Sequence, residues 1–127
     1  MTKPVKPTRS ELAILRVLWQ RGPSTVRDVY DALNKTKKTG YTTVLKLMQI
    51  MADKGLLGRD ESSYAHVYEA RFAREHTQQT LVADLIDRAF EGSMANMVVQ
   101  ALSARKATPE ELSEIRRILK KFERGEK

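Results

Sequence analysis

Apolar residues recur at helical spacing through the first third of this 127-residue chain, alternate briefly in the middle, and return to helical spacing to the end. Leu12, Leu15, Leu18 and Trp19 mark one side of a first helix. Thr8 and Glu11 open it in capping-box order, and Gly22-Pro23 closes it. Val26, Val29, Tyr30 and Leu33 fall at i, i+3, i+4 and i+7, so a second helix follows, with Ser24 placed as its N-cap. Asn34 to Gly40, rich in Lys and Thr, breaks the period and reads as a flexible connection. Val44, Leu47, Met48 and Met51 repeat the spacing in a third helix, and Gly55 suits its exit. Leu56 to Gly58 then begins a strand, Arg59 to Ser63 is polar turn material, and Tyr64 to Ala70 returns with Tyr64, His66 and Tyr68 on one face.

From Phe72 onward the pattern is helical throughout. Leu81, Val82, Leu85, Ile86, Ala89 and Phe90 form one stripe, stopped by Gly92. Ser93 can cap the next helix, whose apolar side is Met94, Met97, Val98, Ala101 and Leu102. Thr108, Pro109 and Glu111 supply a cap, a proline at N1 and a capping-box acid for a last helix carrying Leu112, Ile115, Leu119 and Phe122. The expected fold is mainly α with a small β-hairpin: a winged helix-turn-helix domain over residues 1–71, then a helical dimerisation domain over 72–127. About 55 residues with three apolar stripes bury their surface poorly alone, since a chain of that size removes only about 60% of it from water. A second copy is the expected remedy, with Leu81, Leu85, Val98, Leu102, Leu112, Ile115, Leu119 and Phe122 at the interface.

The third helix carries a second message on its other side. At about 100° per residue, Thr42, Lys46, Gln49 and Asp53 lie opposite the apolar stripe, the first three with long or hydroxylated hydrogen-bonding groups. Lys can donate to guanine, Gln can pair bidentately with adenine, and the Thr methyl can touch a thymine methyl, which is the chemistry of a helix in a DNA major groove. On an arbitrary amphipathic helix the same residues would be solvated surface; the flanks distinguish this one. Lys35, Lys37 and Lys38 precede it where phosphates would pass, and Ser24, Thr25 and Tyr41 stand at helix starts near the same backbone. Arg59, at the base of the wing, could reach a minor groove or a phosphate, or be neutralised by Asp60.

Charge supports an anionic partner. Lys plus Arg number 23 against 16 acids, a net +7, and residues 1–71 hold +6 of it while 72–127 hold only +1. With one tryptophan and few aromatic residues there is no array of stacking rings for single strands, so duplex DNA is favoured, and A-form RNA would not admit the third helix. The absence of cysteine excludes disulfides and thiolate metal sites. His66 and His76 lie on different elements without carboxylates at ligand spacing, and Met94 and Met97 belong to an apolar stripe, so no metal or cofactor is expected. No phosphate loop or nucleophile arrangement is present, and Glu110, Glu111 and Glu114 suit a helix's first turn, so the chain does not read as an enzyme. Neither a signal-peptide h-region nor a transmembrane run occurs, and a cytoplasmic location is expected. The competing possibility is a winged-helix protein-interaction module whose positive charge serves solubility.

The order Leu12 to Trp19, Gly22-Pro23-Ser24-Thr25, Tyr41-Thr42-Thr43-Val44 with Leu47-Met48, Lys54-Gly55-Leu56-Leu57, then Tyr64, His66, Tyr68, Gly92-Ser93 and Thr108-Pro109-Glu110-Glu111-Leu112 resembles the penicillinase-repressor family of bacterial winged-helix regulators, the BlaI/MecI/CopY group. The resemblance implies a homodimeric transcriptional repressor of a group that sits on operators of resistance or metal-homeostasis genes, so control of resistance or stress genes is expected; a two-fold dimer in turn suits a pseudo-palindromic DNA operator. It places Thr43 and Lys46 on the recognition helix, with Thr42 and Gln49 beside them. It also implies, for antibiotic-responsive members, release by a membrane sensor-protease that cuts at an Asn-Phe pair, where this chain has Gln100 and Ala101. The cysteine cluster of copper-responsive members is absent here. Ile50, Asp53, Asp60 and Glu61 stand where relatives often carry basic residues, which moves the expected base contacts to the first two turns of the helix.

Overall fold

The structure, a computed structural model, describes residues 5–125. Its elements are α1 (Arg9–Arg21), β1 (Ser24–Thr25), α2 (Val26–Leu33), α3 (Tyr41–Lys54), β2 (Leu57–Asp60), β3 (Val67–Ala70), α4 (Arg74–Ala89), α5 (Met94–Ala104) and α6 (Pro109–Glu123). By packing the chain divides into two compact units, one ending at Ala83 and one beginning at Asp84, so the division falls inside α4.

In the first unit α1 begins with the expected reciprocal cap: Glu11 N donates to Thr8 Oγ1 at 3.2 Å and Thr8 N donates to Glu11 Oε1 at 2.9 Å. Gly22 ends it at φ +86°, a conformation open to glycine at little cost. The apolar stripes of α1, α2 and α3 meet in one core of Ile14, Leu15, Leu18, Val26, Val29, Val44, Met48 and Met51, closed below by Leu56, Leu57 and Tyr68 from the sheet region. Ile14 is fully buried, whereas Leu12 and Trp19, expected inside, are half-buried. The inward face of α1 is therefore turned further toward Ile14 than the Leu12 spacing suggests.

The wing differs from a simple hairpin. Its sheet has three antiparallel strands in the order β1-β3-β2, with Ser24 opposite Tyr68 and Leu57 opposite Ala70. Ser24 is thus a strand residue and not the N-cap of α2. Thr25 caps that helix instead, in a second reciprocal box with Asp28. The returning strand starts only at Val67, and Arg59 and Asp60 pair within β2. Tyr64 and His66 consequently lie in the exposed turn, and only Tyr68 of the expected face is buried.

The first turn of α4 packs on this unit. Trp19 Nε1 donates to the Phe72 carbonyl at 3.0 Å, the Arg74 guanidinium lies 5.9 Å from the Trp19 ring centre, and Thr77 is buried. In the second unit the caps at Ser93 and Thr108 form, each hydroxyl accepting the backbone N–H three residues on; the Thr108 cap is this single bond and not the expected reciprocal box with Glu111. Its packing is of another kind, because among the described residues none of α5 or α6 is buried.

Candidate nucleic-acid interface

α3 divides its side chains between core and solvent. Val44, Met48 and Met51 are buried and Leu47 half-buried, while Tyr41, Thr42, Thr43, Lys46, Gln49, Ile50 and Asp53 are exposed. Neither the Lys46 nor the Gln49 side chain is used in a hydrogen bond or ion pair among the described residues. Their donors and acceptors are free for a ligand. The helix end behind them is open as well: Gly40 is the N-cap and provides no side-chain hydrogen bond, and the first turn holds no acid. Uncapped N–H groups and the helix dipole at such an end favour an anion.

The segment leading to α3 is tied by hydrogen bonds of one side chain. Asn34 Nδ2 donates to the Tyr30 carbonyl at 2.8 Å and the Thr39 carbonyl at 3.0 Å, and Thr39 N donates back to Asn34 Oδ1 at 3.1 Å. One amide thus closes both ends of the loop, leaving Lys35, Lys37 and Lys38 exposed around it. Tyr41 meets Tyr30 edge-on, with ring centres 5.5 Å apart, which ties the start of α3 to α2. Arg27 sits 5.3 Å over the Tyr30 ring and 3.6 Å from Asp31. This exposed cation beside the α3 N-terminus was not singled out from sequence, although its i, i+3 spacing to Tyr30 was the available sign.

The remaining backbone candidates are placed differently. Ser24 is only 2% exposed and its hydroxyl donates to the Gly22 carbonyl at 2.9 Å, so it is turned away from any ligand. Thr25 is half-buried with its hydroxyl accepting from Asp28 N. Arg59 is exposed, but a hydrogen bond with the Tyr68 side chain and the carboxylate of Glu61, 3.2 Å from Nε, raise its pKa and hold it. Its neutralising partner is Glu61 and not Asp60. Asp60 instead accepts the Ser62 N–H at 2.9 Å, and its carboxyl pKa is lowered by the Ser62 hydroxyl and N–H.

The residues read as a dimer interface are mostly solvent-facing within one chain. Leu85, Val98, Leu102, Leu112, Leu119 and Phe122 are exposed, with Leu119 at 56% and Phe122 at 64%, while Leu81 and Ile115 are half-buried. Among the described residues there is no group of three or more His, Asp or Glu placed to hold a metal ion, and no helix is long and apolar enough to cross a membrane.

Comparison with known proteins agrees with the fold. The transcriptional regulator BlaI of Mycobacterium tuberculosis is 30% identical over 116 residues, which cover 91% of this chain and 83% of that protein. The penicillinase repressor of Bacillus licheniformis is 21% identical over 118 residues, 93% of this chain and 92% of its own length. A MarR family protein from Bacillus stearothermophilus has a similar fold, with a TM-score of 0.53 over 95% of this chain and 76% of that one at 16% identity. The penicillinase repressor family model matches residues 7–121. With nearly the whole length matched and the winged helix in place, the chain belongs to the penicillinase repressor family, a family of transcriptional regulators and not of enzymes.

Proposed function

We propose that this protein is a homodimeric, sequence-specific DNA-binding repressor that acts by occupying an operator. Residues 1–71 bind DNA in this scheme and 72–127 hold the dimer together. The observation that carries the proposal is the outer face of α3, where Lys46 and Gln49 project without internal partners behind an uncapped helix start and a clamped basic loop. Thr42, Thr43, Lys46 and Gln49 contact base edges. Lys35, Lys37, Lys38, Tyr41 and Arg27 contact phosphates, with Thr25 and Arg59 at the margin of the footprint.

The exposed apolar residues of α5 and α6 require a covering surface, and a second copy supplies one. A two-fold dimer reads a pseudo-palindromic operator with half-sites about one helical turn apart. Repression then ends whenever dimerisation or affinity falls. Cutting by a membrane sensor-protease is one such route; here it would have to act at Gln100-Ala101, inside α5 and without the Asn-Phe pair.

Selection of bound duplexes from random DNA tests the whole scheme. A recovered palindrome whose binding weakens steeply with salt supports it. Lys46→Ala and Gln49→Ala should each lose about 1–3 kcal/mol of discrimination at one operator position. A dimer indifferent to sequence, or variants that bind every duplex as the parent does, would overturn direct readout by α3 and favour a protein-interaction role.

A further inference from the structure

A groove of about 400 Å³ runs between α1 and the end of α2, wholly inside the first compact unit. Its floor is apolar: Ala13 and Val17 from α1, Ala32 and Leu33 from α2. Cations stand around it, and no Asp or Glu lines it. Of these, Arg21 is engaged 3.8 Å from Asp28. Arg16 and Lys35 are exposed, and neither side chain has an ion-pair or hydrogen-bond partner among the described residues. Two uncompensated cations over an apolar floor are an arrangement that folding does not need. It matches a ligand with an apolar body and a carboxylate, and the volume is within the usual range for small-molecule sites.

We infer that this groove is a binding site for a small organic carboxylate, held by its apolar body against Val17 and Leu33 and by its charge between Arg16 and Lys35. Its regulatory consequence rests on the assignment of Lys35 as a phosphate contact. Lys35 begins the loop that Asn34 closes and that leads into α3. A carboxylate held there withdraws one cation from DNA in each protomer, so occupancy weakens operator binding and lowers the salt slope by about 0.9 per protomer.

The test uses the full-length protein with 1-naphthoate as probe and neutral 1-naphthamide as control, followed by amide chemical shifts. Naphthoate should perturb Ala13, Val17, Ala32, Leu33 and Thr36, and naphthamide should not. Arg16→Gln and Lys35→Gln, both at exposed positions, should each weaken naphthoate binding about tenfold. Shifts confined to the apolar stripes of α5 and α6, equal binding of the amide, or unchanged affinity in both variants would overturn the site. Capture of acidic peptides with no binding of naphthoate would overturn it as well, in favour of a macromolecular partner. Duplex binding is measured in parallel. Loss of affinity and slope with naphthoate in the parent, but not in Arg16→Gln, supports the regulatory role, and unaltered duplex binding with the groove filled refutes it. If no duplex binds even without naphthoate, the DNA-binding proposal fails while the shift data still judge the groove.

Discussion

Glu11 shows how one side chain can set the position of a helix, here α3. It is 2% exposed, caps Thr8 N, and receives Lys54 Nζ at 2.8 and 2.9 Å on its two oxygens, joining the start of α1 to the end of α3. Burial works to raise its pKa, but the Lys54 hydrogen bond, the Thr8 N–H and the Lys54 charge together lower it below the ordinary value. A folded value below the unfolded one stabilises the protein above the unfolded pKa, and that contribution is lost as pH falls through the folded pKa. Lys54→Ala leaves a buried carboxylate unpaired and should cost about 3 kcal/mol near neutral pH. In urea titrations this deficit should shrink in acid as Glu11 protonates; a deficit independent of pH would rule out the ion pair as its cause. Asn34→Ala removes the loop clamp and should cost about 1–2 kcal/mol of stability. Duplex affinity should fall with it at an unchanged salt slope, because every lysine remains. Neither device was legible in the sequence beyond its local part: Glu11 reads as a cap and Asn34 as loop material, and the Lys54 partner lies 43 residues away.

Among the elements, the helices were the most legible and the wing the least. A helix announces itself through short-range spacing and caps, and the boxes at Thr8 and the caps at Ser93 and Thr108 formed where the residues indicated. Strand β1 is two residues long and exists only because β3 passes beside it, so no local pattern could reveal it. The same pairing turns Ser24 inward and shifts the cap of α2 to Thr25. α3 offers a test in which stability and function move apart. Gly40 has φ −71° and a Cβ there would meet only Thr43 Oγ1 at 3.9 Å, so Gly40→Asp is accommodated. The new carboxylate can cap α3 and should raise thermal stability by a few tenths of a kcal/mol, roughly the gain of Asp over Gly at an N-cap. At the helix end proposed to face phosphate, it should also weaken duplex binding about tenfold. Thermal melts and duplex titrations on one preparation check both, and a gain in duplex affinity would refute the proposed orientation of α3.

At the scale of the molecule, the two units have contrasting interiors. The first closes a core with Ile14, Val29, Val44, Met48 and Met51 fully out of solvent. The second leaves Val98, Leu102, Leu112, Leu119 and Phe122 exposed. Leu112→Asp with Leu119→Asp should therefore leave the winged helix folded while converting the proposed dimer to monomers in sedimentation. Operator affinity should drop to that of a single half-site, and a double variant that stayed dimeric would show that these residues are not the interface.

The sequence by itself determined the helices, the caps at Thr8, Ser93 and Thr108, the buried stripe of α3 and the outward placing of Lys46 and Gln49, because these follow from spacing within a few turns of chain. It also carried the family resemblance. Only the tertiary structure decided the third strand of the wing, the inward turn of Ser24, the holding of Arg59 by Glu61 and Tyr68, the Glu11 to Lys54 tie and the groove edged by Arg16 and Lys35. Each of these depends on which side chains fold brings together, and contacts between segments distant along the chain leave no periodic trace in it.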